Sequence, residues 1–172
     1  MRNVRTLSRL GLILTFSLCL ISSCGTRKST QSTTASKPAI ESPKAVKLAP
    51  NTWASTQEKK AYELGYRLLN ACNTSRFKGY TSSEASPELI QSMSPAAIEQ
   101  TCRKFNLRYG TFKNMALVEV WHNPKNETHV YRFKPAYSKK IAQKELRVIM
   151  DKTNKMVALS TLDWDTNYQV NP

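Results

Sequence analysis

At Gly110 the spacing of apolar residues changes from about 3.6 to 2, and this change of period restricts the fold more than any other feature of the chain. Before it, Ile98, Cys102, Phe105 and Tyr109 recur at i, i+4, i+7 and i+11, a helical stripe that stops at a residue suited to a helix C-terminus. After it, residues 114–122, 128–137, 143–151 and 156–164 are rich in β-branched and aromatic side chains. Asn123-Pro124-Lys125-Asn126 and Asp151-Lys152-Thr153-Asn154 supply turn chemistry between them, which implies consecutive hairpins and a four-stranded antiparallel sheet. Tyr131 and Phe133 alternate with Arg132 and Lys134, and Leu146, Val148 and Met150 with Glu145 and Arg147, so one face is expected to be buried and the other wet.

The helical half carries its own start signals. Ser55-Thr56-Gln57-Glu58 has the form of a capping box, and a helix is expected from there to about Cys72, with Ala61, Leu64, Gly65, Leu68, Leu69 and Cys72 on one face. Ser86-Pro87 and Ser94-Pro95 each pair an N-cap serine with a proline whose missing amide costs nothing in the first turn. Residues 73–85 read as an irregular connection. Helices followed by a meander make an α+β fold over residues 53–172, enough chain for one core.

The residues before this domain have a different character. Arg2, Arg5 and Arg9 precede an apolar core from Leu10 to Ile21, which is shorter than the roughly 20 residues of a membrane-spanning helix. This is the organisation of an export signal over residues 1–23. Residues 24–52, mostly Ser, Thr, Lys, Pro and Ala, cannot bury enough apolar surface to offset the entropy of ordering, so a disordered tether is expected there. As a flexible coil it would typically reach about 30 Å.

The net charge of +14 includes the three signal arginines, leaving +11 on a processed chain. For an exported protein, anionic lipid or wall polymer is the expected partner of such a surface, and nucleic acid is not. The pairs Arg103-Lys104 and Lys139-Lys140 read as solvated faces.

Ile21-Ser22-Ser23-Cys24 resembles the lipobox of bacterial lipoproteins. The resemblance implies that Cys24 is acylated and becomes the first residue of the mature chain, so that the membrane is a partner through a lipid anchor and the protein resides in the cell envelope. Gly25 lacks the aspartate that retains many such proteins in the inner membrane, which favours the outer membrane. Residues 57–164 resemble small domains of the nuclear-transport-factor-two-like, or cystatin-like, fold. The matching stretches are Ser86-Pro87-Glu88-Leu89, the second serine-capped helix, Tyr109-Gly110-Thr111-Phe112-Lys113, and Leu146-Arg147-Val148-Ile149-Met150-Asp151 with Lys155-Met156-Val157-Ala158-Leu159. That family implies a cone, a curved sheet wrapped around long helices with an apolar hollow.

Candidate chemistry is sparse. There is no Gly-x-Ser-x-Gly, no phosphate-cradling glycine loop and no implied cofactor. Glu119, Trp121 and Tyr131 are expected to line the mouth of a cone, where an inward Glu119 could act as a base; a register shift of one residue would turn it outward. His122 and His129 flank the first hairpin turn and could face each other. They read as ordinary strand-end histidines, since a metal site would need a third ligand such as Glu119 or Glu127, completed by solvent. Cys72 and Cys102 sit on helix faces expected to meet, as a disulfide in an oxidising compartment or as two buried thiols. The leading expectation is a lipid-anchored, non-enzymatic binding module for a small ligand or partner protein. The alternatives are an inhibitory or immunity-type lipoprotein that blocks a toxin or wall hydrolase, and an isomerase-like small-molecule enzyme.

Overall fold

The computed structural model describes residues 43–50, 52, 55–141 and 143–170. The expected signal, Cys24 and the tether as far as residue 42 lie outside them. Three helices, α1 (Ser55–Thr74), α2 (Pro87–Ser92) and α3 (Pro95–Tyr109), precede the long strands, giving the α+β order that the change of period predicts. Both Ser-Pro starts form as expected: Ser86 Oγ accepts from Leu89 N and Ser94 Oγ from Ala97 N, each at 3.3 Å. Gly110 ends α3 with φ of +77°, and a Cβ there would lie 2.1 Å from Ser138 Oγ, so only glycine fits.

The sheet has five antiparallel strands where four were expected: β1 (Val46–Lys47), β2 (Phe112–Asn123), β3 (Thr128–Tyr137), β4 (Lys144–Met150) and β5 (Met156–Asp163). They lie in chain order, and the sheet is open, with β1 and β5 at its edges. The extra strand comes from residues expected to belong to the tether. Val46 and Lys47 pair with His122 and Trp121, and Leu48 N donates to Val120 O at 2.9 Å. The folded unit therefore begins before residue 53.

One face of the sheet packs on the helices through Leu64, Phe133, Leu146, Val148, Met150 and Met156, all nearly inaccessible to solvent. Tyr62 meets Phe133 edge-on at 5.9 Å and Tyr66 meets Phe112 at 5.3 Å, which adds directional contacts to area burial. Cys72 and Cys102 are joined in a disulfide between α1 and α3, and Asn106 Nδ2 donates to Cys72 O at 2.6 Å across the same junction. Residues 75–86 are irregular but pinned. Tyr80 donates its hydroxyl to Leu64 O, Arg67 forks onto Glu84 at 2.7 and 3.0 Å, and Ser86 N donates to Met156 O of β5.

Helix α1 lies unusually close to the sheet at Gly65, where an added Cβ would sit 2.6 Å from Leu146 Cδ2 and 3.3 Å from Val148 Cγ2. Leu146 and Val148 are fully buried and have nowhere to retreat. Gly65→Ala is therefore expected to destabilise the domain by about 1–3 kcal/mol despite alanine's better helix propensity, a loss readable in urea denaturation.

Candidate functional site

The face of the sheet turned away from the helices is wet only in part: Lys134, as expected, and Ala136 are exposed, but the centre of the face is covered. Arg132 of β3 is 1% exposed and Glu145 of β4 is fully buried. The guanidinium donates to Glu119 Oε1 through Nη1 and to Glu145 Oε2 through Nε and Nη2, and Nη2 also reaches Asp165 O at 2.7 Å. Arg147 donates to the second oxygen of Glu145, and Lys47 of β1 lies 2.5 Å from the second oxygen of Glu119. The cover is the segment after β5. Arg132 lies 4.6 Å from the Trp164 ring centroid and 4.1 Å from that of Tyr168, which Arg147 also approaches at 4.1 Å. An Arg132 that reads from the sequence as solvent-facing is thus sealed beneath two aromatic rings.

The three residues expected to share a pocket mouth are divided between the two faces. Leu117 pairs with Phe133, but Glu119 pairs with Arg132 and Val120 with Tyr131, because an irregularity between Leu117 and Glu119 inserts a residue into β2. Beyond it every β2 side chain changes face, so Glu119 and Trp121 join the Arg132 cluster while Tyr131 stays in the helix-side core. There Tyr131 is fully buried and its hydroxyl donates to Gln57 Oε1 at 2.8 Å. Glu119 is poorly suited to act as a base. Burial raises its pKa, but hydrogen bonds and charge from Lys47 and Arg132 outweigh this and hold the carboxyl below its usual range. Both of its oxygens are engaged.

An apolar opening lies elsewhere, between α1, α3 and β5. This groove of about 440 Å³ is lined by Leu68, Met93, Ile98, Phe105 and Leu159 among others, with hydroxyls from Ser92, Thr101, Ser160 and Thr161 and no charged side chain. The disulfide forms part of its floor. Beside it, no backbone hydrogen bond joins the outer edge of β5 beyond Met156 to another element among the described residues. Sequence reading missed this groove because its residues come from three distant segments; the half-exposed positions Leu68 and Phe105 at the margin of two helical stripes were the available signal.

His122 and His129 are direct cross-strand partners with ring centroids 4.8 Å apart, on the helix-side face next to Tyr131. Burial, and then the neighbouring His122, lower the pKa of His129. Neither carboxylate considered as a third ligand completes a site: Glu119 is on the opposite face, and Glu127 pairs with Lys152 at 2.5 Å. No group of three or more His, Cys, Asp or Glu side chains among the described residues is arranged to hold a metal, and no helix among them is long and apolar enough to cross a membrane. Comparison with known protein families, curated proteins and solved structures finds no match for this chain.

Removing Arg132 would leave the buried carboxylates of Glu119 and Glu145 with only Lys47 and Arg147 as cationic partners, so Arg132→Ala is expected to cost about 3–5 kcal/mol of unfolding free energy. Stability should also fall on the acid side. Glu119 and Glu84 both have folded pKa values below their unfolded ones; Glu84 is held at about 2, chiefly by its hydrogen bonds to Arg67. Their contribution is complete above the unfolded value of about 4.3 and fades as pH drops through the folded values. Melting temperatures from pH 7 to 2 should show this decline, and Glu84→Gln should flatten it.

Proposed function

We propose that this protein is a lipid-anchored component of the bacterial cell envelope whose α+β domain is a non-enzymatic binding module, with the groove between α1, α3 and β5 as its contact site. The observation that carries this reading is the contrast between the two candidate sites. In the charged cluster both carboxylates are paired with cations and covered, leaving no free acid there to do chemistry, whereas the groove is apolar, open and of a size that takes a small ligand or a few side chains of a partner. Hydroxyls at its rim and the free edge of β5 could orient an extended occupant. A cystatin-like cone is the proposed fold relationship, supported by the order of helices before a meander and by α1 lying against the sheet. The lipid anchor rests on the resemblance of Ile21-Ser22-Ser23-Cys24 to a lipobox, with two or more acyl chains needed for firm attachment.

The two parts of the proposal are tested separately. Cys24→Ala should move the protein from the membrane to the soluble fraction, and labelled palmitate should mark the wild type alone. For the groove, a photo-crosslinking amino acid at Phe105 or Leu159 should give discrete adducts in the cells that make the protein. The same group at Leu107, which is 79% exposed and outside the groove, should not. Equal labelling at all three positions would count against the groove while leaving the anchor untouched.

A further inference from the structure

His122 and His129 carry a feature that neither the fold nor the proposed groove uses. Each has a buried Nδ1 with no hydrogen-bond partner, on two rings directly opposed across the first hairpin. A buried polar atom without a partner is costly, and two on adjacent rings call for a common cause. The spacing of the rings supplies one. With metal–nitrogen bonds of about 2.0–2.1 Å and ring nitrogens about 1.1 Å from the centroid, two imidazoles at adjacent positions on one ion place their centroids about 4.5–5.2 Å apart. The observed separation is 4.8 Å with the planes inclined at 37°.

The surroundings also favour ligation. Tyr131, 6.4 Å from His129 between centroids, packs on the core side and is itself anchored to Gln57, which restricts the ring from that direction. Glu127, in the hairpin turn between the two strands, pairs with Lys152 at 2.5 Å.

We propose that His122 and His129 form a two-histidine site for a first-row divalent cation, with the remaining positions filled by water and with Cu²⁺ preferred over Zn²⁺. The preference follows from chemistry. Two adjacent nitrogens plus solvent suit tetragonal Cu²⁺, whereas a closed zinc site needs four protein ligands, and intrinsic affinities of nitrogen sites peak at copper. The site lies at the hairpin end of the sheet and is independent of the groove between α1, α3 and β5.

The test uses the full chain with Cys19→Ser and Cys24→Ser, so that no thiol outside the disulfide competes, titrated with Cu²⁺ or Zn²⁺ at pH 7.5. One Cu²⁺ should bind per chain with a higher affinity than Zn²⁺ and raise the melting temperature, and its electron paramagnetic resonance spectrum should show coupling to two imidazole nitrogens. His122→Gln and His129→Gln should each weaken binding at least about tenfold. Substoichiometric binding, or a double Gln variant that binds as tightly as the parent, would overturn the proposal. If the Gln variants do not fold, the parent decides the matter. Trace Cu²⁺ should broaden the ring proton resonances of both histidines first, and broadening elsewhere instead would refute the site.

Discussion

Arg132 is the charge around which the outer half of this domain is organised. Through its own hydrogen bonds it joins β2, β3, β4 and the segment after β5, and through Glu119 it reaches Lys47 in β1. A guanidinium suits this position because its planar fork presents several donors at once and stays charged under burial. An ion cluster of this kind is an uncertain source of net stability, since desolvation consumes much of the Coulomb gain, but it is strict about register. A one-residue slip of either neighbouring strand would place an apolar side chain opposite a buried charge.

The two faces of the sheet are consequently held by different physics. On the helix side, large apolar and aromatic side chains interlock around Leu64, Tyr131 and Phe133, and the close approach of α1 at Gly65 leaves little slack. On the other side, paired charges lie under Trp164 and Tyr168. The apolar groove opens at the margin between them, where α3 is tied to α1 by the disulfide and the outer edge of β5 beyond Met156 has no backbone hydrogen-bonded neighbour among the described residues. An opening beside covalently joined helices can keep an apolar lining accessible without collapsing around it.

Much of the fold was legible because its signals are local. Serine caps followed by proline, the glycine after Tyr109 and the turn at Asp151-Lys152-Thr153-Asn154 announce their elements within a few residues. The cross-strand pairing of His122 with His129 follows from hairpin arithmetic alone. What escaped is set by distant partners. Nothing in Val46-Lys47 marks a strand, because two residues in a Ser/Pro/Lys-rich stretch carry no pattern and only β2 gives them a role. The extra residue near Val118 reverses the phase of the alternation, which separates Glu119 and Trp121 from Tyr131. Arg132 and Glu145 alternate correctly for a solvent face; that the face is covered depends on Trp164 and Tyr168, far along the chain.

The position of β1 also gives the domain a direction. The chain enters the folded unit at one edge of a five-stranded sheet, while the groove lies by the opposite edge, four inter-strand steps or about 19 Å away. Any load carried by the segment that leads into Val46 therefore enters the described domain at the β1 edge, across the sheet from the groove. Tension on that segment would act first on a two-residue strand, and because Lys47 contributes to balancing Glu119, a pull strong enough to peel it away would be felt as a change of charge at the centre of the sheet.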